Sequence, residues 1–220
     1  MTDLLLTREV EIPEAGLRLP GTLEVPADAL GLVIFAHGSG SSRLSPRNRA
    51  VAMALQESGL GTLLFDLLTE RESQERANTF DIELLGSRLV AAADWAAEQP
   101  EALGLPIGCF GASTGAAAAL CAAARRPELV RAVVSRGGRP DLAEPWLARV
   151  RAATLLIVGG HDEPVIGLNH IALERLTCHK KLVIVPRATH LFEEPGAMEE
   201  VTRLARDWFR RYLAVRPGEP

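Results

Sequence analysis

Three residues that lie far apart in the chain have the types and the order needed for nucleophilic catalysis. Ser113 lies between two glycines in GASTG (111–115), Asp162 lies in GGHDEP (159–164) and His190 lies in ATHLF (188–192). A serine hydroxyl is a weak nucleophile until a base removes its proton, and that base needs an acid to fix its tautomer. Ser113 is the candidate nucleophile, His190 the candidate base and Asp162 the candidate acid. Their order along the chain differs from the orders in chymotrypsin and subtilisin.

The setting of Ser113 favours a nucleophile elbow, the sharp turn from strand to helix that exposes a catalytic serine. The pattern G-x-S-x-G is common by itself, but here an apolar run of strand length precedes it and an alanine-rich helical pattern follows it. Gly111 and Gly115 leave room for that turn and for a helix packed close to the sheet. The alternative is a serine that only caps the helix, with glycines that serve packing.

Backbone amides near Ser113 could stabilise an oxyanion. The Thr114 N–H opens the predicted helix, where the helix dipole favours negative charge. A second donor is expected from the loop in FAHGSG (35–40), and we assign it to the Ser39 amide. His37 lies in this same loop, so it is interpreted as a hydrogen-bonded structural residue rather than as the base.

Asp162 and His190, like Ser113, have alternative interpretations. Asp162 could cap the helix that begins near Pro164, and Glu163 and Asp141 compete with it for the role of the acid. His190 could be an ordinary surface histidine. The order of the three residues favours the catalytic interpretation, because each follows a separate predicted strand.

The elements that must position these residues alternate between strand and helix. The apolar runs are continuous, which is typical of parallel strands that are covered on both faces. The predicted strands are 30–38, 61–68, 105–113, 129–137, 153–160 and 180–186. The predicted helices are 46–59, 81–99, 114–127, 164–176 and 195–213. The chain therefore predicts one α/β domain over residues 1–220, with a mostly parallel sheet, helices on both faces and an antiparallel hairpin at 6–26.

Composition excludes several classes of function. With 24 basic and 28 acidic residues the formal net charge is −4, which is unlike a nucleic-acid-binding domain, so the expected partner is a small molecule. The first apolar run is broken by Arg8 and Glu9, and no run of 18 apolar residues follows, so neither export nor a membrane span is expected. Three scattered cysteines suggest buried thiols and a cytoplasmic location. No metal-ligand spacing or phosphate-binding loop is present, so no metal and no cofactor is expected.

The chain resembles the dienelactone-hydrolase-like branch of the α/β-hydrolase superfamily over nearly all its length. The segments that carry the resemblance are HGSGSSRLSPRNR, GASTGAAAAL, SRGGRPDL, IVGGHDEPV and ATHLFEEPGAMEEV. They are especially similar to the hydrolase halves of bacterial proteins that fuse a phosphoribosyltransferase to such a domain, although no acidic phosphoribosyl-pyrophosphate loop occurs here. The resemblance implies a Ser113, Asp162, His190 triad with backbone donors from Ser39 and Thr114. Dienelactone hydrolase itself has a cysteine nucleophile, so serine esterases of this branch are the closer analogy.

The expected function is hydrolysis of small, soluble carboxylic esters through an acyl-enzyme intermediate. The segment 138–152 is too short for a large helical lid, which predicts an open site. The alternatives are an acyltransferase or thioesterase with the same triad, or a catalytically silent binding domain.

Four arginines near the expected site could bind an anionic group of the substrate. They are Arg43, Arg47, Arg136 and Arg139. Equally, these arginines could pair with carboxylates such as Asp141.

Overall fold

The computed structural model describes residues 5–214, which form eight strands and six helices. The strands are β1 (Leu5–Glu14), β2 (Leu17–Pro26), β3 (Leu32–Ala36), β4 (Gly61–Phe65), β5 (Ile107–Ala112), β6 (Val130–Arg136), β7 (Ala153–Gly159) and β8 (Lys180–Val185). The helices are α1 (Pro46–Glu57), α2 (Glu70–Ser73), α3 (Ile82–Ala97), α4 (Thr114–Arg125), α5 (Glu163–Arg175) and α6 (Ala197–Leu213). The α/β alternation predicted from the sequence is confirmed.

One sheet contains all eight strands, in the order β1-β2-β4-β3-β5-β6-β7-β8. The strands from β4 to β8 are parallel to β3, whereas β1 and β2 form an antiparallel hairpin that joins the sheet through β4. The hairpin turn uses Ala15 and Gly16, both with positive φ. The antiparallel hairpin predicted at the edge of the sheet is therefore confirmed.

Helices cover both faces of the sheet and bury a separate apolar core on each. Helices α1 and α6 pack on one face, and α3, α4 and α5 pack on the other. Strands β3, β4, β5 and β7 are buried throughout, as their continuous apolar runs predict. Strand β8 is partly exposed because it has a neighbour on one side only. In α6 the stripe of Val201, Ala205, Trp208 and Phe209 is buried.

The strand order places a crevice at the carboxyl ends of the central strands. From β3 the chain first adds β4 on one side, and it then crosses back to add β5, β6, β7 and β8 in turn on the other side. The loops after β3 and β5 therefore diverge, and ligands of open α/β sheets bind in the crevice that such a reversal creates. All the predicted catalytic positions follow strands that end at this edge of the sheet.

The segment 66–81, between β4 and α3, folds into short helical turns that the sequence analysis did not predict. Thr69 and Glu72 form a reciprocal capping box that begins the four-residue helix α2. The buried guanidinium of Arg88 on α3 pairs with both Glu72 and Glu14, so it ties this segment to the N-terminal hairpin. A four-residue helix is too short to show helical periodicity, which explains why it escaped prediction.

In the described part of the chain, residues 5–214, no large lid covers the carboxyl edge, as the short segment 138–152 predicts. Between β6 and β7 the chain forms only two short 3₁₀ helices, Pro140–Ala143 and Leu147–Arg149. Within residues 5–214 no helix combines the length and the apolar character that a membrane crossing requires. The three cysteines are unpaired thiols; Cys109 and Cys121 are buried and Cys178 is half-buried.

Candidate active site

Ser113 occupies a strained turn between β5 and α4. Its φ of 52° and ψ of −120° lie in a region that residues with a side chain seldom adopt. Its N–H donates to the Arg136 carbonyl at 3.3 Å, and its own carbonyl accepts from the Arg139 N–H at 3.0 Å, so the end of β6 holds the turn in place. The Ser113 side chain makes no capping hydrogen bond to α4. This geometry matches the predicted elbow and argues against a serine that only caps the helix.

The first turn of α4 lies directly against the backbone at the end of β3. A methyl group at Gly115 would lie within 2.6 Å of the His37 carbonyl oxygen and closer still to that of Ala36. Because both contacts are with backbone atoms, neither can move aside cheaply. Gly115 is therefore required for the close approach that brings Ser113 to the carboxyl edge of the sheet.

Substituting Gly115→Ala is expected to destabilise the protein by about 3 kcal/mol or more, since overpacking against backbone costs about 1 to 3 kcal/mol and occasionally more. The free energy of unfolding in urea measures this effect. Gly167→Ala is the matched control, because Gly167 lies in helix α5 with nothing within 4 Å of the added methyl group. That control is expected to gain about 0.5 to 1 kcal/mol from helix propensity. Equal stability of the two variants would contradict the packing assigned to α4.

His190 and Asp162 form a hydrogen-bonded pair between the loops that follow β8 and β7. The Nδ1 atom of His190 lies 2.7 Å from Oδ2 of Asp162. The two strands are neighbours in the sheet, which brings their loops together. Asp162 stands at the N-terminus of α5, yet its side chain caps no helical N–H. The pairing leaves the other ring nitrogen, Nε2, as the one that could accept a proton from a nucleophile.

The alternative acids do not contact His190. Asp141 forms a bidentate pair with Arg139, with both nitrogen–oxygen distances at 2.8 Å. Glu163 is exposed, and within residues 5–214 it forms no hydrogen bond with the imidazole. Among the three acidic candidates of the sequence analysis, the structure therefore pairs only Asp162 with the histidine.

Ser113 and His190 line the same cavity, which has a volume of about 870 Å³. The loop after β6 passes against the histidine: a methyl group at Gly137 would lie 3.5 Å from His190 Nδ1, and the φ of this glycine is 51°. Within the described part of the chain no hydrogen bond joins the Ser113 hydroxyl to the imidazole. Catalytic hydrogen bonds are often long in the absence of substrate and tighten when it binds.

Ser39 and Thr114, the residues that carry the two predicted oxyanion donors, both line the cavity and contact each other. The Thr114 N–H is the first of α4, so it has no acceptor within the helix. The Ser39 N–H donates to the Thr114 hydroxyl at 3.1 Å. This contact ties the loop after β3 to the elbow, but it also means that an oxyanion would have to share the Ser39 donor with Thr114.

His37 is held as a neutral, hydrogen-bonded residue. Its Nε2 accepts the Leu67 N–H at 3.1 Å, so Nδ1 carries the proton and donates to the Gly38 carbonyl at 3.0 Å. Burial lowers the pKa of His37, despite the nearby carbonyl and Asp66. With both ring nitrogens engaged, this imidazole cannot accept a proton from Ser113, in agreement with the structural role inferred from the sequence.

The three candidate arginines differ in their surroundings. The Arg43 backbone N–H donates to Asp66, and its guanidinium forms an ion pair with the same carboxylate at 3.5 Å. Arg43 does not line the cavity, so the structure removes it from the candidate site. Arg47 lines the cavity and pairs with Glu193. Arg136 also lines the cavity and is buried. Arg139, the fourth arginine considered, pairs with Asp141 as the alternative interpretation expected.

Part of the cavity wall comes from residues that the sequence analysis missed. Leu67, Leu68, Ser73 and Thr79 belong to the segment between β4 and α3, and all four line the cavity. The capping box formed by Thr69 and Glu72 was a readable signal of this segment. Its position beside the nucleophile depends on the strand order, which no local pattern encodes.

Cys109 lies four residues before Ser113 but faces the core. It is fully buried in β5, and burial raises the pKa of its thiol to about 12. The thiolate is the nucleophilic form of cysteine, so Cys109 is not a nucleophile at neutral pH. Unlike Cys109, Ser113 lines the cavity.

Comparison with known proteins agrees with this architecture. Residues 31–181 match the family model described as alpha/beta hydrolase fold. The crystal structure of dienelactone hydrolase from Anabaena variabilis is 57% identical, with a TM-score of 0.92 over 95% of this chain and 99% of that one. Est1E from Butyrivibrio proteoclasticus shares the fold at 18% identity, with a TM-score of 0.80 over 94% of this chain and 99% of its own.

A relative from Mycobacterium tuberculosis is 56% identical over 209 residues and carries the provisional name phosphoribosyl transferase. The match covers 95% of this chain but 47% of that protein, so the chain spans about half the length of the curated relative. The name therefore describes a longer protein, in keeping with the resemblance to hydrolase halves of fused proteins. From its family match, its strand order and its 57% identity to a solved relative, the chain belongs to the α/β-hydrolase family, in the dienelactone-hydrolase-like branch.

Proposed function

We propose that this protein is a serine hydrolase that cleaves small carboxylic esters through an acyl-enzyme intermediate. The observation that supports the proposal best is the Asp162–His190 pair on the same cavity as the strained Ser113. A strained serine, an oriented imidazole and helix-terminal amides together are the components of acyl transfer.

In the proposed reaction the Ser113 hydroxyl attacks the ester carbonyl while His190 Nε2 takes the hydroxyl proton. The resulting oxyanion is stabilised by the Thr114 N–H and, in part, by the Ser39 N–H. Collapse of this intermediate breaks the bond to the leaving alcohol, which receives the proton from His190. Water then attacks the acyl-serine by the same route and releases the acid, so that Ser113 regains its proton.

Asp162 holds His190 in the tautomer that leaves Nε2 unprotonated, and it stabilises the imidazolium during each step.

The hydrogen bond from the Ser39 N–H to the Thr114 hydroxyl affects the stabilisation of the oxyanion. It holds Ser39 and Thr114 together before substrate binds. However, the Ser39 N–H can stabilise the oxyanion only to the extent that it is shared between the oxyanion and the Thr114 hydroxyl. We therefore assign the larger share of oxyanion stabilisation to Thr114.

A panel of 4-nitrophenyl esters tests the proposed function. The short connection between β6 and β7 provides no lid that would cover a long acyl chain, so such a chain would stay in contact with water and add little binding energy. Acetate and butyrate esters are therefore expected to have a higher kcat/KM than the octanoate ester. A butyryl thioester and an added primary alcohol serve as the comparison substrates. Faster turnover of the thioester would indicate a thioesterase instead. Acyl transfer to the alcohol in preference to water would indicate an acyltransferase.

A further inference from the structure

Arg136 differs from Arg47, which also lines the cavity, because it has no carboxylate partner among residues 5–214. Across residues 5–214, no ion pair involves Arg136, and its Nε has no hydrogen-bond partner. The residue is only 8% exposed, and it lines the cavity together with Ser113 and His190. By contrast, Arg47 on the same cavity is paired with Glu193.

A buried guanidinium without a counter-charge is unfavourable, because burial removes its hydration and nothing replaces it. Burial, with a smaller contribution from the neighbouring Arg47, lowers the pKa of Arg136 to about 10. The side chain therefore keeps its charge at neutral pH. The protein retains this uncompensated charge at the cavity wall, where an anionic ligand could neutralise it.

Arg136 is also placed close to the proposed nucleophile. It ends β6 opposite Ala112 of β5, and its carbonyl accepts the Ser113 N–H. An anion bound by Arg136 would thus be positioned on the wall next to the elbow. Arg47 enters from the first turn of α1 and adds positive potential, although Glu193 neutralises much of it.

We propose that Arg136 binds an anionic group, a carboxylate or a phosphate, on the substrate and so selects anionic esters over neutral ones. The planar guanidinium can donate two parallel hydrogen bonds to either group. The selectivity rests on the proposed ester hydrolysis, whereas anion binding by Arg136 does not require turnover.

Three 4-nitrophenyl esters with acyl chains of matched length test the selectivity: one ends in a methyl ester, one in a carboxylate and one in a phosphonate. Wild-type protein is expected to hydrolyse at least one charged ester with a kcat/KM about 10- to 100-fold above the neutral one, the range of a hydrogen bond to a charged group. Arg136→Met is expected to bring the ratio of kcat/KM for the charged ester over the neutral ester down to about one, because the charged ester loses more than the neutral ester. The charged ester that loses more identifies the anion, carboxylate or phosphonate, that Arg136 binds better.

Arg131→Gln is the matched control, since Arg131 lies near the opposite end of β6 with an exposed side chain. This variant is expected to keep the wild-type preference.

Arg136→Met is expected to keep the wild-type Tm, because a similar-sized apolar side chain replaces an unpaired buried charge. If Arg136→Met does not fold, Arg136→Lys, which keeps the charge but loses the planar fork, is expected to retain a reduced preference. Equal losses on the neutral and charged esters, or no preference in the wild-type protein, would overturn the proposal.

Direct binding separates this inference from the proposed function. Calorimetric titration of the Ser113→Ala protein with glutarate and with inorganic phosphate is expected to show binding of at least one anion, and Arg136→Met in the same background is expected to abolish it. Failure of wild-type protein to hydrolyse any ester, with anion binding intact, would reject the hydrolase proposal alone. Absence of binding by both anions at 10 mM, roughly the weak limit for a small ligand, would reject the anion site alone.

Discussion

Replacing Ser113 with alanine is expected to lower kcat for 4-nitrophenyl acetate hydrolysis by at least about 10,000-fold. The substitution removes the only atom that forms the acyl-enzyme bond in the proposed mechanism. The strained backbone of the elbow tolerates alanine as well as serine, because both have a Cβ, and so the fold is expected to persist. Steady-state rates and circular dichroism on the same preparation measure the two effects.

Ser87→Ala is the control for a lost serine hydroxyl. Ser87 lies on helix α3, where its hydroxyl donates to the Glu83 carbonyl, and it does not line the cavity. Its loss is expected to leave the rate unchanged. If Ser113→Ala retained a tenth or more of wild-type activity while properly folded, another group would have to be the nucleophile.

Replacing Asp162 with asparagine is expected to lower kcat at pH 7 by about 1,000- to 10,000-fold. The side chain keeps its size and its place at the start of α5, but the amide can donate to Nδ1 and thereby favour the wrong tautomer of His190. The KM is expected to change little, because Asp162 does not act on the bound ester directly. Measuring kcat and KM separately distinguishes this positioning role from a loss of binding.

Asp141→Asn tests the competing acid from the sequence analysis. Asp141 pairs with Arg139 rather than with a histidine, so its loss is expected to cost less than about twofold in kcat. A large effect of Asp141→Asn together with a small effect of Asp162→Asn would reverse the assignment of the acid.

The order of the elements could be predicted because each strand of the parallel sheet is a continuous apolar run. Runs such as 153–160 are covered on both faces and are therefore apolar throughout. In helix α6, by contrast, apolar residues recur every three or four positions, so the two kinds of element are easily told apart. The segment between β4 and α3 could not be predicted in the same way. It is polar and short, and capping contacts hold it, together with the buried ion pairs of Arg88.

The candidate site was partly readable because its residues follow successive strands. The carboxyl ends of parallel strands share one edge, so Asp162 and His190 were expected to meet, and they lie 2.7 Å apart. The roles of the arginines were not readable, since a guanidinium in a loop pairs with any carboxylate that tertiary packing supplies. The structure separates them through their partners: Asp66 for Arg43, Glu193 for Arg47 and no carboxylate in the described residues for Arg136.

The hydrogen bond from the Ser39 N–H to the Thr114 hydroxyl is another feature that sequence alone could not reveal. The motifs identified both residues as neighbours of the nucleophile, but each was considered only as a backbone donor. The Thr114 side chain now links the two loops that frame the cavity. The spacing of the motifs could not predict this contact, because it depends on how the loop after β3 packs against the first turn of α4.

Reaction with a fluorophosphonate, followed by peptide mass spectrometry, tests most directly whether Ser113 is an activated nucleophile. Such a probe reacts with a serine whose proton is removed by an adjacent base, and the covalent product needs no knowledge of the natural substrate. One phosphonylated residue, Ser113, is expected in wild-type protein, and Asp162→Asn is expected to lose most of the labelling. Labelling of a different residue, or no labelling of folded wild-type protein, would contradict the assignment of Ser113 as the nucleophile.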